Sequence, residues 1–357
     1  MGLDHAFWDQ RRVFLTGHTG FKGGWLSLWL QRLGADLTGY ALAPPTDPSM
    51  FETARVDEGM RSYHGDVRDL QQLVDRIAEH RPEIVIHMAA QALVRHSYQE
   101  PVTTYETNVM GTVNVLEAVR KTPAVKAVLI VTSDKCYENR EWLWGYRESE
   151  ALGGHDPYSS SKACAEIVSA AYRNSFFSSP GATAVASARA GNVIGGGDWA
   201  PDRLVPDIMR CCLQDQAPLI RNPGSVRPWQ HVLEPLSGYL TLVERLYASG
   251  STFAEAWNFG PHPEACREVG WVVDYLTRRW NGAAGWSADR TAHPHEANLL
   301  KLDPAKAIAR LGWKPHLDLE TALDWTCDWY RNAADPDRAR AITFEQIDSF
   351  ERLMASS

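Results

Sequence analysis

The sequence lacks the features that mark several classes of protein. Its formal net charge is −8 and no cluster of lysine and arginine stands out, so it offers no basic surface for nucleic acid or an anionic membrane. Its six cysteines form no CxxC pair and show no metal-ligand spacing, which favours free thiols in a reducing compartment. No stretch reaches the roughly 18 consecutive apolar residues that span a bilayer, and the N-terminus does not resemble a signal peptide. We therefore expect a cytoplasmic protein that binds neither nucleic acid nor membrane and holds no metal.

What is present is the composition of a folded enzyme. The chain has 357 residues, of which 44% are apolar and 22% are charged. That length is enough for a large core, or for one domain that carries a second lobe.

The first half alternates short apolar runs with helical segments. The runs are RVFLTG, DLTGYAL, EIVIHMAA and AVLIVTS, and the helices cover residues 23–33, 70–79 and 104–120. A further helix follows Pro157 to residue 174, and TAVASARAGNVIG reads as one more strand. Strands rich in Val and Ile that alternate with helices indicate right-handed βαβ crossovers and a sheet buried on both faces. The predicted fold class is α/β, with a doubly wound parallel sheet.

The composition changes after about residue 190. GGGDWAPDRLVPD and RNPGSVRPWQ are rich in Gly, Pro and Trp, which favours loops and short elements over a second sheet of equal size. We expect a first domain over residues 1–190, to which part of 231–260 returns. A smaller, discontinuous C-terminal substrate lobe is expected from residues 191–230 and 261–357.

A glycine-rich loop follows the first predicted strand. Gly17, Gly20 and Gly23 have GxxGxxG spacing and open a helix, as in the Rossmann dinucleotide site, where the backbone approaches a pyrophosphate at a helix N-terminus. Phe21 in this loop and Ala89 after a later strand are assigned to the same cofactor site. The alternative is a strand-to-helix turn with no ligand. Lys22, in the same loop, is expected to be a solvated charge.

The adenosine end of this site departs from the pattern. The second strand should end in a carboxylate for the ribose, but Ala41 occupies the expected position. No arginine follows until Arg55, so we favour NAD over NADP, and Asp47 could return to serve the ribose. Asp66 and Val67 follow another strand and could hold the adenine edge, although a helix N-cap would equally explain the aspartate.

A second segment gathers groups that handle protons. Tyr158 and Lys162 form a YxxxK pair behind Pro157, which suits the first turn of a helix. Residues four apart share a helix face, so a nearby ammonium could lower the tyrosine pKa. Ser133 ends a predicted strand, where open α/β sheets bind their ligands. Alone, a YxxxK is usually a helix surface.

Together, the glycine loop, Ser133 and the Tyr158–Lys162 pair resemble the extended short-chain dehydrogenase/reductase family. The resemblance covers nearly the whole chain, including HMAAQALVRHS, NFGP and LDPAKAIARLGWKP. It implies NAD and hydride chemistry at a sugar-nucleotide carbon. At the strand end, the family's 4,6-dehydratases usually carry Thr-Asp-Glu, where this chain has Ser133-Asp134-Lys135.

The lysine variant, together with GNVIGGGDWAPDRLVPD and RPWQHVLEPLSGYL, resembles those dehydratases of the family that act on CDP-D-glucose. The resemblance implies this substrate and the residue roles. Tyr158 would take the 4-OH proton as a hydride passes to NAD, and Lys162 would hold the nicotinamide ribose and lower the tyrosine pKa. Asp134 would protonate the departing 6-OH as water leaves across C5 and C6, and the hydride would return to C6. Lys135 replaces the usual glutamate base, so it is either the C5 base or an ion-pair partner of Asp134.

The diphosphate needs fixed positive charge. Arg203 and Arg227 are the candidates, because the guanidinium fork suits phosphate oxygens, although a surface ion pair would also explain either residue. The resemblance implies that Arg227 and Asn192 touch the diphosphate. Three tryptophans are candidates for stacking on the base, with packing as the alternative: Trp199, Trp229 and Trp257.

Two other functions are alternatives to a dehydratase. A C4 epimerase or reductase of the same family would not need Asp134 and Lys135, and a catalytically silent NAD-sensing regulator could lose Tyr158 and Lys162. The intact residues favour the dehydratase. The resemblance also implies a homodimer through the helices over residues 104–120 and 158–174.

Overall fold

A parallel sheet of seven strands forms the centre of the protein, seen in a computed structural model that describes residues 2–280, 285–289, 291 and 299–356. The strand order across the sheet is Ala256–Asn258, Ala184–Arg189, Ala127–Val131, Ile84–His87, Arg12–Thr16, Asp36–Ala41 and Arg61–His64. Every pair of neighbours is parallel. The doubly wound α/β prediction is confirmed.

Helices cover the sheet and build the rest of the chain. Those up to the end of the sixth sheet strand are His5–Trp8, Phe21–Arg32, Met50–Thr53, Leu70–His80, Val94–Gln99, Pro101–Tyr105, the π-helical turn Glu106–Met110, Gly111–Arg120 and Pro157–Phe176. Those beyond it are Leu204–Leu213, Leu233–Ser249, Val269–Arg279, Ala305–Leu311, Leu319–Asn332 and Pro336–Ser356. Within the described residues, no helix is both long and apolar enough to cross a membrane.

The sheet is buried on both faces, as its unbroken apolar strands predict. Along the first strand, Val13 and Leu15 pack into one core cluster and Phe14 into another. Along the strand Ala127–Val131, Leu129 packs into the first of these clusters and Val128 into the second. Because successive side chains of a strand point to opposite faces, a strand between two helical layers must be apolar throughout.

The chain reverses direction across the sheet between two central strands. It runs outward from Arg12–Thr16 to Arg61–His64 and then returns to Ile84–His87, on the other side of the first strand. Ligands of open α/β sheets bind at the carboxyl ends of strands at such a switch point. The glycine loop leaves the first of these two strands, so the fold places it at the expected crevice.

Beyond the sheet, the described chain forms only short strand pairs. They are Val193–Ile194 with Gln230–His231, Leu219–Ile220 with Ser287–Ala288, and Val226–Pro228 with Cys266–Glu268. The prediction of short elements in place of a second large sheet is confirmed. As expected, Ala256–Asn258 returns to the main sheet.

The last helix, Pro336–Ser356, lies against the helix of the glycine loop. Trp29 Nε1 donates to Glu351 at 2.6 Å, and Arg32 pairs with Asp348 at 2.8 Å. A segment assigned to the substrate lobe therefore also contacts the first domain. The domain boundaries at residues 190, 230 and 260 stay predictions.

Candidate active site

In the glycine loop, backbone segments approach one another too closely to leave room for side chains at two positions. Gly17 has φ +80°, and a Cβ there would lie 2.7 Å from the backbone nitrogen of Ala89, so both conformation and space require glycine. A Cβ on Gly23 would collide with the carbonyl oxygen of Gly17. These two glycines let the helix and the loop pack tightly at the switch point, and Ala89 lies beside Gly17. The assignment of Ala89 to the cofactor site stays a prediction.

Gly20 differs from its neighbours, and the difference indicates a ligand. Its φ is −81°, and a Cβ would meet only the Gly17 carbonyl oxygen, at an ordinary 3.5 Å. Gly20 is the N-cap of the helix Phe21–Arg32 and makes no side-chain cap. The first-turn N–H groups, beginning with that of Phe21, are thus left for an outside acceptor. This cradle fits the pyrophosphate of a dinucleotide.

Lys22 is not the solvated charge that its loop position predicted. Its side chain is half-buried and its Nζ donates to the hydroxyl of Tyr239 at 3.0 Å. That prediction was wrong because Tyr239 comes from a distant helix, Leu233–Ser249, and no sequence motif marks it.

The adenosine end has no carboxylate at the end of the second strand. Ala41 is buried there, and Asp47 is exposed on the loop that follows. The side chain and backbone N–H of Arg68 bond to Asp66 and lower the pKa of its carboxyl group. Asp69, not Asp66, caps the next helix, so the alternative role for Asp66 was wrong.

Val67 is buried beside Gly111, where an added Cβ would lie 2.8 Å from the valine side chain. It therefore packs in the core on one side of the sheet. Its assignment and that of Asp66 to the cofactor stay predictions.

The predicted proton-handling residues come together at the carboxyl end of the sheet. Tyr158 and Lys162 lie one turn apart on the helix Pro157–Phe176, and both are buried. Asp156 caps this helix by accepting from the Ser159 N–H at 2.9 Å. Ser133 follows the strand Ala127–Val131, and its side chain is close enough to Tyr158 to lower the pKa of the phenol. That Ser133 hydrogen-bonds the same substrate oxygen as Tyr158 stays a prediction.

The Tyr158 phenol is affected by a charged group that the sequence did not indicate. Burial raises the pKa of Tyr158 to about 12, while the Ser133 side chain and the charge of Arg203 lower it. Burial also lowers the pKa of Lys162 to about 8, and its Nζ donates to the carbonyl of Val131 at 3.3 Å. The charge of Arg203 thus acts on the phenol, while the Lys162 amine donates toward the strand. That Lys162 also lowers the pKa of Tyr158 stays a prediction.

Asp134 presents a buried carboxylate to the same site. Its side chain is 1% exposed, Oδ1 accepts from Ser133 at 3.0 Å, and Oδ2 has no hydrogen-bond partner among the described residues. Any Cβ on Gly191 would collide with Oδ2, so glycine is required there. Lys135 Nζ lies 3.7 Å from Asp134 Oδ1 and is about one-third exposed. An unpartnered oxygen in a buried site is available to a substrate hydroxyl.

A second buried carboxylate supports this strand end and was missed from the sequence. Glu166, one turn beyond Lys162, accepts from Thr132 at 2.5 Å and from Ser187 at 2.7 Å. It also pairs with the buried Arg189 at 2.8 Å. The negative charge of Glu166 raises the pKa of Lys162, against the effect of burial. A KxxxE spacing on the helix was the available signal.

The three predicted substrate residues lie in different settings. Arg203 pairs with the buried Asp198 at 2.9 Å and acts on Tyr158, so it lies at the catalytic end of the site. Asn192 has φ +40° and a buried Nδ2 with no partner in the described part of the chain. Arg227 is on the short strand Val226–Pro228 of the lobe, half-buried, and donates to the Val226 carbonyl.

The three tryptophans that are candidates for stacking on the base differ in their burial and hydrogen bonds. Trp257 is fully buried in the sheet and donates to the carbonyl of Phe253, so it is a packing residue and its stacking role was wrong. Trp229 donates to the carbonyl of Arg267. Trp199 is nearly buried, and no partner for its indole N–H is found in the described residues. Stacking by Trp199 or Trp229 stays a prediction.

Comparisons with known proteins show the family of this chain. The family model of GDP-mannose 4,6 dehydratase matches residues 14–326. The chain is 55% identical to the CDP-glucose 4,6-dehydratase of Salmonella typhimurium over 92% of this chain and 93% of that protein. It is 26% identical to dTDP-glucose 4,6-dehydratase 1 of Escherichia coli, over 75% and 77% of the two chains.

Solved structures show the same fold. UDP-glucose 4-epimerase of Thermotoga maritima superimposes with a TM-score of 0.79 at 22% identity, covering 90% of this chain and 99% of that chain. At this identity the likeness concerns the fold alone, and the sequence relatives carry the family. The resemblance drawn from the motifs is confirmed, and the chain belongs to the GDP-mannose 4,6 dehydratase family.

Proposed function

We propose that this protein is an NAD-dependent hydro-lyase that converts CDP-D-glucose to CDP-4-keto-6-deoxy-D-glucose. The observation that carries the proposal is one pocket that joins a redox pair, Tyr158 and Lys162, to a separate acid–base pair, Asp134 and Lys135. The identity to a CDP-glucose 4,6-dehydratase over nearly the full length supports both the reaction and the nucleotide.

The first half of the reaction is oxidation at C4. Tyr158 takes the proton of the 4-OH, and Ser133, whose side chain lowers the pKa of the phenol, holds the same substrate oxygen. Lys162 binds the nicotinamide ribose, and the negative charge of Glu166 helps it stay protonated in its buried position. NAD, when bound, accepts the C4 hydride and later returns it to C6.

The second half is loss of water. The new 4-keto group acidifies the C5–H bond, so a base can take that proton while the 6-OH leaves. Asp134, whose Oδ2 is unpartnered within the described structure, protonates the departing hydroxyl. Lys135, whose Nζ lies 3.7 Å from Asp134 Oδ1, either takes the C5 proton as a neutral amine or orients the acid as an ammonium paired with it. Return of hydride to C6 and of a proton to C5 leaves one water as the net loss.

The remaining substrate contacts are in the lobe. Arg227 supplies a guanidinium and Asn192 an unpartnered amide, within the described residues, for the diphosphate. Arg203 is proposed to contact the substrate near Tyr158, since its charge already acts on that phenol.

A panel of nucleotide sugars tests the proposed reaction. The protein is incubated with CDP-, dTDP-, GDP- and UDP-hexoses, and the products are identified by NMR spectroscopy. A 4-keto-6-deoxy product from CDP-glucose, formed faster than from the other three, is expected. A C4 epimer with the 6-OH intact would instead establish the epimerase alternative and leave Asp134 and Lys135 without a role.

Cofactor retention is expected to be weak because Ala41 supplies no carboxylate to the adenosine ribose. A hydrogen bond to a charged group contributes about 1.5–3 kcal/mol, so its absence should weaken NAD binding by roughly ten- to a hundredfold. The purified enzyme should be partly empty and gain activity on addition of NAD. Ala41→Asp should tighten NAD, measured by calorimetry.

Full NAD occupancy of the unchanged protein after long dialysis would contradict this expectation. It would show that Asp47 or another group already holds the ribose.

The proposal includes a homodimer. The helices Pro101–Tyr105 and Pro157–Phe176 expose a set of large apolar side chains: Val102 (68% exposed), Tyr105 (39%), Ile167 (56%) and Phe176 (51%). Tyr105 and Ile167 lie in the two segments, residues 104–120 and 158–174, through which the family resemblance implies a homodimer, and their exposure supports a second copy packed there.

Val102→Asp combined with Ile167→Asp is expected to give a monomer, because two carboxylates would be buried without partners. Light scattering after gel filtration measures the mass. Ile308→Asp, on the helix Ala305–Leu311 and 45% exposed, is the control. A dimeric double variant would place the interface elsewhere.

We also propose the reducing interior of the cell as the location. All six cysteines are free thiols, as expected there.

A further inference from the structure

The turn that carries the proposed acid–base pair is short and has few contacts of its own. Asp134–Cys136 is a single helical turn directly after Ser133. The Asp134 carboxylate accepts from Ser133 at 3.0 Å and lies 3.7 Å from the Lys135 amine, so both partners belong to the same short segment. Its Oδ2 has no hydrogen-bond partner within the described residues. The direction of this carboxylate therefore follows the position of the whole turn.

Glu166 and Arg189 form a buried ion pair close to this turn. Their nitrogen–oxygen distance is 2.8 Å, and each side chain is 3% exposed. Glu166 lies on the helix that carries Tyr158 and Lys162, and Arg189 is the last residue of the sheet strand Ala184–Arg189. A buried ion pair is weak evidence for stability, so its role is sought in the groups that it holds.

The ion pair holds the chain on both sides of the turn. Before the turn, the hydroxyl of Thr132 donates to Glu166 at 2.5 Å. After the turn, Nη1 of Arg189 donates to the hydroxyl of Tyr137 at 2.6 Å. That hydroxyl donates in turn to Asn258 on a neighbouring strand of the sheet, at 2.8 Å. The two ends of the acid–base turn are therefore fixed by one connected set of buried polar groups.

The residues of the oxidation half are held differently. Tyr158 and Lys162 lie on the helix Pro157–Phe176, and the backbone N–H of Tyr158 donates to the hydroxyl of Ser97 at 3.1 Å. The Tyr137 hydroxyl takes no part in these contacts, since its partners are Arg189 and Asn258. A change at this hydroxyl should therefore reach the acid–base turn and leave the tyrosine helix in place.

We propose that Tyr137, Arg189 and Glu166 are positioning residues for the loss of water. They fix the turn so that Asp134 and Lys135 stay aligned with the sugar once C4 has been oxidised. Misplacement of a reacting group by about 1 Å lowers a rate by about a hundredfold. This inference rests on the proposed dehydration, and it assigns one half of that reaction to groups that act through the turn.

Tyr137→Phe is the most selective change. It keeps the ring, which stacks on Tyr146 at 5.0 Å between centroids, and removes the hydroxyl that joins Arg189 to Asn258. Loss of water should slow by about ten- to a hundredfold, while oxidation at C4 stays within about threefold of the unchanged enzyme. Rapid mixing of excess enzyme and NAD with CDP-glucose measures both steps. Reduced nicotinamide forms on oxidation and disappears only after water has left, so it should persist in the variant.

Tyr146→Phe is the matched control. Tyr146 is the other ring of the stack and is also buried. Its hydroxyl bonds to Asn139 at 3.1 Å and to the backbone N–H of Arg140 at 2.6 Å, and not to the ion pair. Both steps should keep nearly unchanged rates.

The other end of the turn gives an independent test. Thr132→Val removes the hydroxyl that donates to Glu166, so it should slow the loss of water selectively, as Tyr137→Phe does. Thr132→Ser keeps a hydroxyl and should restore the rate. Glu166→Gln is less suitable, because it would leave the charge of Arg189 buried without its partner and destabilise the fold.

Equal slowing of oxidation and water loss in either Tyr137→Phe or Thr132→Val would show a structural role alone and overturn the inference. Water loss at the unchanged rate in either variant would also overturn it, as would loss of folding in both, followed by thermal unfolding. If the unchanged enzyme forms no 4-keto-6-deoxy product from CDP-glucose, the proposed function itself fails, which the same experiment shows separately.

Discussion

Tyr158→Phe is expected to lower the turnover number by about a hundred- to ten-thousandfold, the usual effect of removing a general base. The phenylalanine keeps the ring in its buried site and removes only the oxygen that accepts the 4-OH proton. Cofactor affinity should change little, because Lys162 and the glycine cradle are untouched. Initial rates with CDP-glucose and NAD titrations measure the two effects.

Tyr172→Phe is the matched control. Tyr172 is on the same helix and loses a hydrogen bond to Glu117, at 2.9 Å, away from the pocket. It should keep nearly full activity. Tyr158→Phe activity within about threefold of the unchanged enzyme would remove Tyr158 as the base, given the size of that effect in other enzymes.

Asp134→Asn is expected to separate oxidation from dehydration. The amide keeps the size and much of the hydrogen bonding of the carboxylate but cannot protonate the departing 6-OH. Oxidation at C4 should continue and loss of water should slow by about a hundredfold or more. Reduced nicotinamide, followed by its absorbance, should accumulate with a 4-keto-glucose nucleotide that still carries its 6-OH.

Solvent deuterium distinguishes Asp134 from Lys135. In D₂O, Asp134→Asn should still exchange the C5 proton of the trapped keto sugar, since the base is intact. Lys135→Met should block that exchange if Lys135 takes the proton, and allow it if Lys135 only pairs with Asp134. Normal 6-deoxy product from Asp134→Asn would remove Asp134 as the acid.

The fold could be predicted because short stretches of the sequence specify each of its sheet strands and helices. Each sheet strand is a short apolar run, and the parallel arrangement follows from the helices between runs, as at Ala127–Val131. The short strands of the lobe, such as Leu219–Ile220, could not be placed. Two-residue pairs leave no periodicity in the sequence, because their partners are set by tertiary contacts.

The residues of the site also fall into two groups, those that local patterns indicate and those whose setting depends on distant parts of the chain. Tyr158, Lys162 and Ser133 were found because helical spacing and a strand end fix their positions relative to the sheet. Lys22 was misjudged because its burial depends on Tyr239, far along the chain. The charge of Arg203 also lowers the pKa of Tyr158, and no local pattern in the sequence indicated it, because Arg203 lies far along the chain.

The central claim is that one hydride leaves C4 and returns to C6 of the same sugar. CDP-glucose labelled with deuterium at C4 tests it directly, with the product analysed by NMR spectroscopy and mass spectrometry. The account predicts a 4-keto-6-deoxy product with the deuterium at C6 and no net reduced cofactor. Deuterium retained at C4 of an epimer, or released in reduced cofactor in proportion to product, would contradict it.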